Sequence, residues 1–126
     1  LILGSMMVAL VEGLVLTCAA GLEPATLLEV LRGSALDAPM YQRKGGTILE
    51  RNFVSSFFLR HMRKDFELML EASAELGVPL PTIAAARELY IAAQARGYGE
   101  QDYSAVVCYL EELAGVEVRG RASGKA

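Results

Sequence analysis

The sequence predicts an all-α fold, a helical bundle, on three observations. Apolar residues recur at helical spacing along most of the chain. Glycine and proline stand where helices would stop and start: Gly21 and Pro24, Gly33, Gly77 to Pro81, Gly97 and Gly115. No stretch sustains the period-two alternation of a half-buried strand. The 126 residues suit one domain. A chain of this size can bury about two-thirds of its surface on folding, enough for a core without disulfides or metal.

Each element has a local reason. Leu1 to Leu22 is apolar with one charge, Glu12, and Gly21 closes it. It reads as a helix buried on nearly all sides of a bundle. Its length also suits a membrane span, but a mid-membrane carboxylate is costly, and no basic n-region precedes it as in a signal peptide. No capping residue opens this helix, so the sequence suggests that it continues upstream and that the chain is a fragment. Pro24 starts a second helix over 24–32, closed by Gly33. Residues 34–58 read as irregular, with a short helix around 39–50. The clearest amphipathic helix spans 59–76: Leu59, Met62, Phe66, Leu70 and Ser73 form one stripe, with Arg60, Arg63, Lys64, Glu67, Glu71 and Glu75 on another side. A fourth helix covers 82–96. A fifth covers 103–114, with Asp102 or Ser104 as its N-cap and Gly115 at its end. Residues 1–115 thus form the helical domain, and 116–126, small, polar and basic, read as a flexible tail.

Composition narrows the function. A hydrophobic content of 53% excludes a disordered chain. A net charge of −3 speaks against a nucleic-acid partner. Cys18 and Cys108 have no CxxC spacing, which excludes a zinc ribbon or a vicinal redox pair. Free thiols in a cytoplasmic protein are the simplest reading, and a single disulfide between them is the alternative.

Little in the chain reads as self-contained chemistry. Gly97-Tyr98-Gly99 follows a helix, not a strand, and Asp102 stands where a dinucleotide fingerprint has its third glycine, so it reads as a helix–helix turn. His61 lacks a ligand partner at metal spacing and pairs with Asp65 at i,i+4; no metal site is expected. Glu111-Glu112 reads as a solvated helix face. Phe57, Lys64 and Asp65 are less ordinary. They sit where a loop enters the amphipathic helix, and at about 100° per residue Lys64 falls well away from the apolar stripe, with Asp65 at its border. The spacing fits either a solvated face or one wall of a polar cleft.

From Gly4 to Leu110 the chain resembles the C-terminal helical domain of the β-hydroxyacid dehydrogenases, a 6-phosphogluconate dehydrogenase-like fold. The family includes 3-hydroxyisobutyrate dehydrogenase, tartronate semialdehyde reductase and the glyoxylate/succinic semialdehyde reductases. The resemblance is carried by Gly4-Ser5-Met6-Met7 with Glu12-Gly13-Leu14, Gly21-Leu22-Glu23-Pro24, Ala38-Pro39-Met40-Tyr41 with Lys44-Gly45, Phe57-Phe58-Leu59 through Lys64-Asp65, Leu76 to Pro81, Glu88-Leu89-Tyr90, and Gly97 through Asp102 to Val106. Gly4 to Met7 and Ala38 to Tyr41 look most like the glyoxylate reductase branch.

The resemblance implies a two-domain parent: an N-terminal Rossmann domain holding NAD(P), NADP favoured by the subfamily, joined by a long helix to this domain. It implies that the general-acid lysine and its companion asparagine lie upstream of Leu1, so that no catalytic residue is expected here and the chain alone is inactive. It makes Phe57 and Lys64 cofactor-binding, with Phe57 and Asp65 lining the substrate site; Met40 and Tyr41 are further pocket or interface candidates. The implied activity is reduction of a small aldehyde acid or oxidation of a 3-hydroxy acid, and the alternative is a non-catalytic dimerisation or interaction module on the same scaffold. The apolar first helix predicts a homodimer or larger assembly.

Overall fold

A computed structural model describes residues 1–121 and contains six α-helices: α1 (Ile2–Ala19), α2 (Pro24–Arg32), α3 (Pro39–Leu49), α4 (Leu59–Leu76), α5 (Pro81–Ala93) and α6 (Val106–Ala114). Among the described residues there is no strand, only an isolated antiparallel bridge between Phe58 and Asp102. The all-α expectation holds. So do the bounds of α2 and α4, because their signals are local: Pro24 occupies the first turn of α2, and Gly77 ends α4 at φ 67°, where a Cβ would be strained.

The helix expected over 82–96 stops earlier. α5 ends at Ala93 and passes into a wider turn, Gln94–Tyr98, which Gly97 breaks at φ 97°. The fifth expected helix opens with a tight turn, Tyr103–Ala105, before α6, and Asp102 caps it by accepting the Ser104 N–H. Gly97 to Gly99 is a helix–helix turn, whose Gly99 carbonyl accepts the Arg60 N–H at 3.1 Å.

α1 is the axis of the bundle and packs against α2, α3, α5 and α6. Its buried residues are Gly4, Met7, Leu10, Val11, Leu14 and Val15. The expectation of burial on nearly all sides fails, since Ile2 and Leu16 are 72% and 71% exposed. Ile2, Ala9, Glu12, Leu16 and Ala19 stay exposed, so α1 keeps one open stripe that is apolar except for Glu12. By length and composition it could cross a membrane. At its start it runs close to α4: a Cβ on Gly4 would stand 2.3 Å from the Phe66 ring. Phe66 in turn packs edge-on against Tyr90, at 5.2 Å between centroids. The buried Tyr90 hydroxyl is satisfied by the Tyr103 carbonyl at 2.9 Å.

Two expectations at the C-terminal end are corrected. Glu111 is buried, not solvated: its carboxylate pairs with Arg51 and accepts the Val118 N–H at 2.8 Å. That contact, with Gly120 N–H donating to the Leu49 carbonyl at 3.0 Å, packs the start of the expected tail onto the domain. Val118 is fully buried. Residues 122–126 lie outside the described residues. Removing the cation should undo this segment. Arg51→Ala leaves the Glu111 carboxylate with one backbone donor, a loss of about 1.5–3 kcal/mol. Limited proteolysis should then cut near Val118 in the variant first; equal cutting of both proteins would show that the pair does not hold the segment.

Candidate functional site

The loop between α3 and α4 forms because α3 cannot continue. Arg51 takes φ 57°, and Asn52 folds back so that its side-chain oxygen accepts the Val54 N–H at 3.2 Å. The loop then runs beside residues 101–103. Asp102 N–H donates to Phe53 O at 3.0 Å, Tyr103 N–H to Phe57 O at 2.8 Å, and Leu59 N–H to Gln101 O at 2.8 Å. This pairing sets the Phe57 ring against the edge of Tyr103, 6.0 Å between centroids, and beside His61 at 5.9 Å.

Phe57 borders an open hollow of about 430 Å³ between the first turns of α1 and α4. Leu1, Leu3, Gly4, Met62, Leu68 and Met69 supply the rest of its apolar wall, and among the described residues Asp65 is the one ionisable side chain that lines it. Lys64 is exposed on the same helical turn, next to Asp65 and outside the lining. Among the described residues it forms no ion pair. The hollow therefore presents an aromatic face and a carboxylate, and the Lys64 ammonium is exposed one residue before that carboxylate.

Other candidates lie elsewhere. Met40 is a core residue, and Tyr41 lines a separate apolar groove of about 240 Å³ with Leu10, Leu27, Leu31 and Leu36. Neither reaches the hollow, because α3 packs on α2. The expected His61–Asp65 pair does not form: the His61 ring nitrogen lies 2.7 Å from Arg60 Nη1, and the ring meets Phe57 at a tilt and Phe58 edge-on. Cys18 and Cys108 are separate free thiols. Burial pushes the Cys108 thiol up to about 11, which keeps it protonated and unreactive at neutral pH.

The sequence did not reveal the buried ion pair behind the loop. Lys44 Nζ lies 2.9 Å from both carboxylate oxygens of Asp102 and 2.9 Å from Ser56 Oγ. Asp102 also accepts the Ser104 hydroxyl at 2.7 Å, the Ser104 N–H at 3.1 Å and the Ser56 N–H at 3.1 Å. Burial alone would raise the Asp102 carboxyl. The bonds from Ser104, Lys44 and Ser56 outweigh it and hold the group below its ordinary range. Asp102 was legible only as an N-cap; its partner Lys44 is 58 residues away, with no spacing signal between them.

Comparisons with known proteins identify the family. Residues 1–110 match a protein family described as "NAD-binding of NADP-dependent 3-hydroxyisobutyrate dehydrogenase". Glyoxylate/succinic semialdehyde reductase 2, chloroplastic, of Arabidopsis thaliana is 38% identical over 107 residues, 85% of this chain and 30% of that protein. The cytokine-like nuclear factor N-PAC of Aedes aegypti is 39% identical over 106 residues, 84% of this chain and 19% of that protein. The chain thus spans less than a third of the length of either relative. The crystal structure of 3-hydroxyisobutyrate dehydrogenase from Salmonella typhimurium superposes with a TM-score of 0.81 at 23% identity, covering 86% of this chain and 38% of that one; it shares the fold. Taken with the match over residues 1–110, these findings place the chain in the 3-hydroxyisobutyrate dehydrogenase-like family of NAD(P)-dependent hydroxyacid dehydrogenases, as one of its NAD-binding helical domains.

Proposed function

We propose that this chain is the helical wall of the cofactor and substrate cleft in an NAD(P)-dependent oxidoreductase. The parent enzyme reduces a small aldehyde acid such as glyoxylate, succinic semialdehyde or tartronate semialdehyde, or oxidises a 3-hydroxy acid. The observation that carries this reading is the convergence of Phe57 and Asp65 on one hollow; Lys64, exposed one residue before Asp65, is the cation nearest to it in sequence. The residues fit a nicotinamide cofactor. Phe57, Met62 and Met69 offer an apolar face for a flat ring and exclude water from it. Asp65, when ionised, only accepts hydrogen bonds, so it suits a carboxamide N–H or a substrate hydroxyl and repels a substrate carboxylate. Lys64 can give a charge-assisted contact to a cofactor phosphate. Bound there, the cofactor supplies or takes the hydride.

Among the described residues, no lysine, histidine or tyrosine lines the hollow. The proton donor for the carbonyl oxygen and the phosphate cradle are accordingly assigned to parts of the enzyme outside these residues. NADP is favoured over NAD by the subfamily resemblance and by the description of the matching family. Alone, the chain should give no NADPH oxidation with glyoxylate or succinic semialdehyde, and robust turnover would defeat this division of labour. In the full-length enzyme Lys64→Ala should raise the cofactor KM about 10- to 150-fold, the equivalent of one charge-assisted bond of about 1.5–3 kcal/mol. An unchanged KM removes Lys64 from the site.

The exposed outer face of α1, with Ile2 and Leu16, supports a homodimer or larger assembly. Packing of the opposite face of α1 into the bundle supports a protein without a membrane span. The free thiols support the cytoplasm, and the net charge supports a protein without a nucleic-acid partner. A second reading, a non-catalytic interaction module, is favoured by the relative named as a nuclear factor. It predicts no cofactor-dependent turnover by the full-length protein with any of these substrates.

A further inference from the structure

We propose that Asp102, locked by Lys44, is a positioning residue of the hollow: it fixes where the Phe57 ring stands relative to Asp65. The inference rests on the functional reading above only for the importance of that ring; the coupling itself is a matter of geometry.

Three elements meet at this carboxylate. One oxygen, Oδ1, takes the Ser104 N–H and hydroxyl from the turn before α6. The other, Oδ2, takes the Ser56 N–H and hydroxyl, each at 3.1 Å, and lies 3.4 Å from the Phe57 N. The Lys44 ammonium, from α3, bridges both oxygens and also donates to Ser56 Oγ. Its charge lies 4.9 Å from the centre of the Tyr103 ring, whose edge supports Phe57. All the polar atoms of the cluster are thus spent on one another.

Such a pair is a poor way to stabilise a core, because desolvating two charges offsets most of their attraction and well-packed apolar residues often do as well. An apolar pair could not hold the successive backbone N–H groups of Ser56 and Phe57. The loop needs that grip. Val54 is 84% exposed, and only Phe53 and Phe57 of residues 52–57 pack against the core. The carboxylate supplies a fixed anchor one residue before the aromatic that borders the hollow.

The test uses fluorine NMR on the chain labelled with 4-fluorophenylalanine, which places probes at Phe53, Phe57, Phe58 and Phe66, assigned by single Phe→Leu changes. In Asp102→Asn the Phe57 resonance should move by more than its linewidth while buried Phe66 holds. Ser56→Ala, at an exposed residue, should move Phe57 in the same direction by less. A folded Asp102→Asn with an unmoved Phe57 overturns the proposal. So does a common shift of all four resonances, which marks general loosening. If Asp102→Asn does not fold, Ser56→Ala decides, and an unmoved Phe57 there overturns it. A Phe57 that moves as expected, in a protein whose Phe57→Ala variant keeps its cofactor and substrate KM in the full-length enzyme, supports the positioning and sinks the functional reading instead.

Discussion

Replacing Lys44 by alanine should cost the chain about 3–5 kcal/mol of stability, the range for removing one partner of a buried ion pair. Both side chains lie almost wholly out of water, at 8% and 2% exposure. Without the ammonium, the Asp102 carboxylate keeps its Ser104 and Ser56 donors but loses its counter-charge. Urea unfolding at neutral pH measures the loss. The pH dependence gives an independent check. The folded Asp102 carboxyl sits below its ordinary range, so on acidification the unfolded chain takes up the proton first. The stabilisation is complete above the ordinary carboxylate value of about 4 and disappears as pH falls through the lower folded value. The gap between the native chain and Lys44→Ala should therefore narrow below about pH 4. A gap that stays constant or widens on acidification would mean that the pair is not what stabilises the junction.

Phe66→Ala should cost about 3–5 kcal/mol, because a buried ring is replaced by a cavity. Phe66 is fully buried, meets Tyr90 edge-on and touches the backbone of α1 at Gly4. Gly4→Ala should cost about 1–3 kcal/mol by overpacking, since its methyl would stand 2.3 Å from a ring that Tyr90 prevents from retreating. The two changes are not additive. In the Phe66→Ala background the added methyl enters free space, and its cost should fall to near zero or reverse. Four urea curves complete the double-mutant cycle. An additive result would show that α1 and α4 approach less closely than described. Because Gly4 and Phe57 border the same hollow, the cycle also reports on what sets its floor.

Much of the fold was readable where the signal is local. Pro24 and Gly33 delimit α2, and Gly77 ends α4 with the left-handed residue that glycine favours. Of the stripe Leu59, Met62, Phe66, Leu70 and Ser73, the first three are buried and the last two only partly so. Glu111 failed the same kind of reading. Two adjacent glutamates look solvated until Arg51, 60 residues earlier, and the Val118 N–H are brought to one of them. The packing of Val118 went unseen for the same reason: a short polar segment carries no periodicity, and its partners Leu49 and Arg51 lie far away in the chain.

The candidate site divides in the same way. Phe57 and Asp65 were named before the fold, and they share a hollow. Lys64 was expected well away from the apolar stripe, and it is exposed there and not part of the hollow's lining. Met40 had the same standing in the sequence as Tyr41, yet one is core and the other lines a different groove. Leu1, Leu3 and Gly4 carry no chemistry, and only the close crossing of α1 and α4 makes them a wall.

The sequence by itself determined the class of fold, the places where most helices begin and end, and the residue types offered at the start of α4. Those follow from backbone preferences and helical periodicity, which act over a few residues. Tertiary structure alone decided that α1 keeps an open apolar face, that Lys44 reaches Asp102, and that Phe57 stands over a hollow rather than in the core. Those outcomes depend on contacts between residues about fifty or more positions apart, whose energies are settled only when the helices pack.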